Sequence, residues 1–365
     1  MIYMDYAATS PLCEAAKKTI IEHIDDFGNP SSSHELGRQA RVLIENARDR
    51  IAKCINADPS EIYFTSGGSE ANTLALNNRW YSASSKFEHH SIISNWPKIS
   101  ITKDGFIKTH KLNNMLSERW DTPFDVMSCM YVNNELGTIQ PIKELSTVAH
   151  RYGILLHTDA VQAIPYIHID VKDIGCDMLS ASGHKFGAPK GVGFLYANAR
   201  SRIKPMINGG KQEDGIRPGT ENVLGIISMA AALEDTVEHM DEHNEYIKTL
   251  RDSLLDKLLK INGAHVNGSL ENRIPSNINI RFDGISGARL VSLCSLYGVY
   301  ISSGSACSEG IPAPSHVLKA IGLSDEEALS SVRITLGHHN TEEDVKMAAD
   351  IITALVKRIR ENNDF

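Results

Sequence analysis

The sequence predicts an α/β protein built on a largely parallel sheet, and three observations carry that prediction. Helical and strand-like patterns alternate over most of the chain, the signature of βαβ units. Short apolar runs recur, each ending in polar residues or glycine. At 365 residues and 42% hydrophobic content, the chain can bury a large core and divide it between two domains.

The elements follow in chain order. Over residues 34–56, Leu36, Ala40, Leu43, Ile44, Ala47, Ile51 and Cys54 recur at spacings of three and four, which predicts one apolar helical face. Residues 61–65, 125–132, 154–158, 177–180 and 193–196 are short apolar runs and read as buried sheet strands. A long helical pattern runs from about residue 225 to about residue 260. The character then changes: strand at 276–282, helix at 286–297, strand at 332–336, and a final amphipathic helix over 341–361. This tail of roughly 110 residues reads as a smaller α+β domain. There is no internal repeat or low-complexity segment.

Composition narrows the function. Lys plus Arg number 37 against 45 Asp plus Glu, a net charge of −8, with the charges interspersed instead of forming a basic stripe, so nucleic-acid binding is a poor reading. No apolar run approaches the roughly 20 residues that span a bilayer. The first residues, MIYMDYAATS, carry Asp5 where a signal peptide would be basic and then apolar. A soluble, cytoplasmic protein is expected. The six cysteines, Cys13, Cys54, Cys129, Cys176, Cys294 and Cys307, form no C-x-x-C pair, which fits neither a disulfide framework nor a zinc site.

In open α/β sheets ligands sit beyond the C-terminal ends of strands, so the residues after each run matter most. After the first run comes Ser66-Gly67-Gly68-Ser69-Glu70-Ala71-Asn72. Such a glycine turn leading into a helix offers amide donors to a phosphate, or is simply an ordinary turn with a Ser cap. After the third run stands Asp159, a carboxylate costly to bury without a partner; a helix N-cap is its plainer reading. After the fourth comes Ser182-Gly183-His184-Lys185. A lysine there is unusual, because lysine is strongly hydrated; the functional alternative is a Schiff-base amine. Cradle, Asp and Lys together suggest pyridoxal phosphate. Cys307 lies in a small-residue stretch, SSGSACSEG, which reads as a flexible exposed loop suited to a nucleophilic thiol.

These segments, in this order, resemble the class V aminotransferase family, and most closely its cysteine desulfurase branch. The carrying motifs are MDYAATSP (4–11), GNPSSSH (28–34), FTSGGSEAN (64–72), EHHS (88–91), YVNNELGTIQPI (131–142), HTDAVQA (157–163), SGHKFGAPKGVGFLY (182–196), RPGTEN (217–222), SSGSAC (302–307) and SVRITLG (331–337). The resemblance implies a type I pyridoxal-phosphate fold: a large cofactor domain over 14–250 with a mostly parallel seven-stranded sheet, and a small domain of 1–13 and 251–365. It implies a homodimer binding pyridoxal 5'-phosphate. Lys185 would carry the aldehyde, Asp159 would partner the pyridine nitrogen, Gln162 the phenolic oxygen, and His89 would stack on the ring and shuttle protons. Gly68, Ser69, Ser182 and His184 would hold the phosphate, with Thr220 reaching in from the other subunit. Asn134 would approach cofactor and substrate, Arg333 would hold the substrate carboxylate, and Cys307 would take the sulfur. The implied reaction converts L-cysteine to L-alanine, with a Cys307 persulfide supplying an acceptor protein. A selenocysteine lyase, an aminotransferase, or a non-catalytic sulfur-relay scaffold are the alternatives.

The chain departs from the family pattern in places. The stretches 79–88 and 92–124 are shorter than usual, Ser69 replaces a common Thr, and the usual GGGQER run reads Gly209-Gly210-Lys211-Gln212-Glu213-Asp214. Trimmed surface elements and a changed charge at the dimer-shared edge of the site are therefore expected.

Overall fold

All five apolar runs enter one seven-stranded sheet. The computed structural model describes residues 1–77, 79, 81–92, 97–117, 124–303 and 313–361. The strand order is Ile62–Thr65, Gly193–Ala197, Met178–Ser182, Leu155–Asp159, Val126–Ser128, Ser82–Ser85 and Lys98–Ile99. Gly193–Ala197 runs antiparallel to both its neighbours, and the other pairings are parallel. The largest core packs against this sheet, with Met127, Leu156, Leu179 and Phe194 essentially unexposed.

The structure corrects three sequence expectations and adds two strands that the sequence did not mark. The run over 125–132 is strand only at Val126–Ser128. The pattern over 225–260 is two helices, Val223–Glu238 and Met240–Leu258, separated at His239, whose backbone (φ −103°, ψ 6°) leaves the helical region. Helix Glu35–Cys54 does bury Ala40, Ile44, Ala47 and Ile51, but Leu36 is 43% exposed. The shortened stretches supply the strand Ser82–Ser85 and, beside it, the edge strand Lys98–Ile99. The sequence SASS carries no apolar alternation, so the period-2 signal is absent. Its serines are small enough to be buried, and two of them are bonded: Ser84 Oγ accepts from Lys98 Nζ, and Ser85 Oγ donates to Glu88.

A second core lies over an antiparallel sheet of Ser331–Thr335, Asn277–Phe282 and Ala264–Val266. Ile247, Leu250 and Leu254 reach it from helix Met240–Leu258, and Ile352, Leu355 and Val356 from helix Glu342–Glu361. Register pairs Asn279 with Arg333. The N-terminal strand Ile2–Tyr3 pairs with Val299–Tyr300, and Asp5 bridges to Thr335. The chain then crosses to the large sheet, where Ser10 N donates to the His184 carbonyl at 2.8 Å. Residues 5–10 are thereby fixed between the two cores. Among the described residues no helix is long and apolar enough to cross a membrane.

Candidate active site

At the C-terminal ends of the parallel strands lies a cavity of about 420 Å³, where side chains far apart in sequence meet. Gly68 and Ser69 open helix Gly68–Leu76 at its rim. Gly67 has φ 151°, and a Cβ at Gly68 would stand 2.7 Å from Val161 Cγ2, so the turn passes too close to the neighbouring strand end for a side chain at Gly68. Ser182 ends its strand, and Gly183–Lys185 follows as a single 3₁₀ turn that delivers His184 and Lys185 into the cavity.

Lys185 Nζ donates to the carbonyls of Ala7 at 2.5 Å and Ala8 at 2.8 Å. Burial, followed by the positive charge of Arg333, brings its amine down to about 8 against the opposite pull of Asp5 and Asp159. The Ala7 carbonyl also accepts from Gln162 Nε2 at 2.8 Å. His184 Nδ1 lies 3.1 Å from Thr9 Oγ1, and burial, then Lys185 and Lys190, lowers its imidazole to about 4. At physiological pH His184 is neutral.

Asp159 is 3% exposed at the end of its strand. Oδ1 accepts from Val161 N at 3.0 Å and Oδ2 from Asn72 Nδ2 at 2.7 Å. Burial raises its pKa, with the hydrogen bonds and the positive charges of His89 and Lys185 opposing. Turns and not a helix follow it, which removes the N-cap reading. Among the described residues no lysine or arginine lies within ion-pair distance of it.

His89 and Asn134 also line the cavity. Burial is the chief cause holding the His89 imidazole below its ordinary value, helped by His90 and Lys185 and resisted by Asp159. Arg333 is buried; Nη1 donates to the Asn134 carbonyl at 2.9 Å and Nη2 to Asp5 Oδ1 at 2.8 Å. Thr220 is exposed and does not line the cavity in the single chain. Cys307, with its loop, lies outside the described residues.

Several contributors escaped the sequence reading. Asp5 and the carbonyls of Ala7 and Ala8 were visible only as part of MDYAATSP. Glu135, 3% exposed, lines the cavity and accepts from Ser315 Oγ at 2.6 Å; burial pushes it up to about 7. Glu88 is unexposed, accepts from Ser85 Oγ and from Met130 N, and is likewise pushed up by burial to about 7. Around the rim, Arg217 Nε donates to Glu70 Oε1 at 2.8 Å, tying the RPGTEN segment to the first turn of helix Gly68–Leu76. Within the altered GGKQED run, Glu213 turns inward, and its carboxylate meets the Arg48 guanidinium in two 2.8 Å bonds.

The family model described as aminotransferase class-V matches residues 2–347. A cysteine desulfurase IscS from Dictyoglomus turgidum is 41% identical, covering 98% of this chain and 95% of that protein. The fold matches a NifS-like protein from Rickettsia africae with a TM-score of 0.91 and 33% identity, over 98% of this chain and 99% of that one. It also matches a structure titled SspA in complex with cysteine, with a TM-score of 0.79 and 32% identity, over 93% and 100% of the two chains.

Proposed function

The chain belongs to the class-V aminotransferase family, and on that premise we propose that it is a cysteine desulfurase whose sulfur-accepting residue is Cys307. L-cysteine and the Cys307 thiol give L-alanine and a Cys307 persulfide: the substrate carbon–sulfur bond breaks, a sulfur–sulfur bond forms, and the thiol hydrogens are redistributed between alanine and persulfide. The observation that supports this most is the meeting of Lys185, Asp159, Gln162, His89, Asn134 and Arg333 in one cavity.

The donor set fits pyridoxal 5'-phosphate. Asp159 is a buried carboxylate served by two neutral donors, the setting a protonated ring nitrogen completes. The close turn at Gly68 and the hydroxyls of Ser69 and Ser182, with His184, suit a phosphate, and Gln162 suits a phenolic oxygen. When bound, that cofactor supplies an aldehyde that links to amines and a ring that accepts electrons.

The chain's own residues do the rest. Lys185, with its pKa brought down to about 8, holds a reactive share of neutral amine and takes and returns the substrate's α-proton at Nζ. His89, whose imidazole burial holds below its ordinary value, would face the bound ring and exchange a proton with substrate. Arg333 and Asn134 orient the substrate carboxylate. The same kinship supports a cytoplasmic homodimer, with Thr220 of the partner subunit completing the phosphate site and an acceptor protein drawing off the sulfur.

The test is a single-turnover reaction of cofactor-loaded enzyme with L-cysteine, following alanine and protein-bound sulfane sulfur. One of each per site is expected, and Cys307→Ser should release little alanine. Full alanine release by that variant would overturn the persulfide step. Keto-acid-dependent return of the amino group would instead indicate an aminotransferase, and turnover of selenocysteine alone a selenocysteine lyase.

A further inference from the structure

One turn into helix Gly68–Leu76 sits Asn72, 1% exposed, a residue to which the proposed mechanism gives no part. Its amide nitrogen carries two hydrogens and spends both: Nδ2 donates to Asp159 Oδ2 at 2.7 Å and to Ser91 Oγ at 2.9 Å. Reversing the amide would press its carbonyl oxygen against the Asp159 carboxylate, which fixes the orientation. The fold tolerates a cost for this, since Asn72 Oδ1 is left buried without a hydrogen-bond partner.

The consequence passes down the chain of bonds. Ser91 Oγ, having accepted from Asn72, directs its own hydrogen to His89 Nδ1 at 2.8 Å, and Ser91 N also donates to Nδ1 at 3.2 Å. An imidazole nitrogen that receives two donors carries no hydrogen of its own, so the ring proton resides on Nε2. We propose that Asn72 is a positioning residue that holds Asp159 with one amide hydrogen and, through Ser91 with the other, fixes His89 as its Nε2–H tautomer. The two groups assigned to the ring nitrogen and the ring face of the cofactor are thus set by one side chain, and the inference rests on those assignments for its catalytic meaning.

The experiment uses holoenzyme labelled with ¹⁵N-histidine, with long-range proton–nitrogen spectra reporting the His89 tautomer and the visible spectrum reporting the cofactor. Ser91→Ala should shift His89 toward a tautomer mixture while leaving the cofactor band in place, and Ser91→Thr, which keeps the hydroxyl, should restore the wild-type pattern. Asn72→Leu should alter both spectra and lower kcat roughly tenfold or more, within the range of acid–base catalysis. A wild-type His89 spectrum in Ser91→Ala would overturn the proposal, even where Asn72→Leu folds poorly. The assignments are tested separately: if Asp159→Asn and His89→Ala leave the cofactor band unmoved, those assignments fail, whereas the tautomer result stands on its own.

Discussion

Replacing Glu213 by Gln removes one charge from a buried pair while keeping size and shape. Arg48 and Glu213 have side chains only 10% and 3% exposed. The guanidinium makes two 2.8 Å bonds to the carboxylate, donates to the Ile62 carbonyl at 2.7 Å, and lies 4.6 Å over the Phe64 ring. Glu213 Oε2 also accepts from Phe64 N at 2.8 Å. The pair thus anchors strand Ile62–Thr65, which leads directly into the turn at Gly67 and Gly68. Breaking a buried pair by removing one partner costs about 3–5 kcal/mol. Glu45, 2.9 Å from Arg48 Nε but 47% exposed, offsets part of this, so about 3 kcal/mol is expected for Glu213→Gln. Arg48→Met should cost a similar amount. The double variant Arg48→Met/Glu213→Gln should recover at least half of the summed losses, because no charge is left buried. Urea unfolding of the four proteins closes the cycle. Strict additivity of the two single losses would refute the pairing argument.

Three further outcomes are expected. Lys185 with a pKa of about 8 has roughly a tenth of its amine neutral at pH 7; the rate at which cofactor-free enzyme takes up pyridoxal phosphate should therefore rise about tenfold per pH unit below 8 and level off above it, and a linear rise through pH 10 would contradict the assignment. Gly68→Ala should weaken cofactor affinity tenfold or more by equilibrium titration, since its Cβ would fall 2.7 Å from Val161 Cγ2 and must displace one or the other. Glu88, pushed up to about 7 by burial, holds a proton in the folded state that the unfolded chain releases near pH 4.5, so its linked stability is present in acid and is lost as pH rises through 7. Glu88→Gln, which preserves both accepted bonds, should gain about 3 kcal/mol over the native enzyme at pH 8 and little at pH 5; equal effects at both pH values would mean the carboxyl is not protonated in the fold.

What the sequence made legible divides along a physical line. A strand such as Gly193–Ala197 is a run of glycine and apolar residues buried throughout, so composition alone marks it. Ser82–Ser85 is equally buried but is made of three serines and an alanine, and nothing in their order separates them from a loop. The same division holds in the cavity. Lys185 and Asp159 stood out because a charge beside an apolar run conflicts with its surroundings. Asn72, Asp5 and Glu213 did not, because their partners lie 19 to 328 positions away and a polar residue without a visible partner looks like any solvated one.

That difference also separates two kinds of site residue. Groups that meet the ligand are written as local conflicts, tolerable only because the ligand resolves them. Groups that set the geometry of the first kind are written as long-range agreements, and only the fold brings them together. The carbonyls of Ala7 and Ala8 make the point most directly: they belong to residues with no side-chain chemistry, yet they hold Lys185 Nζ and Gln162 Nε2. They can do so because strand Ile2–Tyr3 and the Asp5–Arg333 pair fix that backbone against the second core. A change that loosens strand pairing at Ile2 or Tyr3, far from the cavity, therefore acts on the reactive amine through the two carbonyls that hold it.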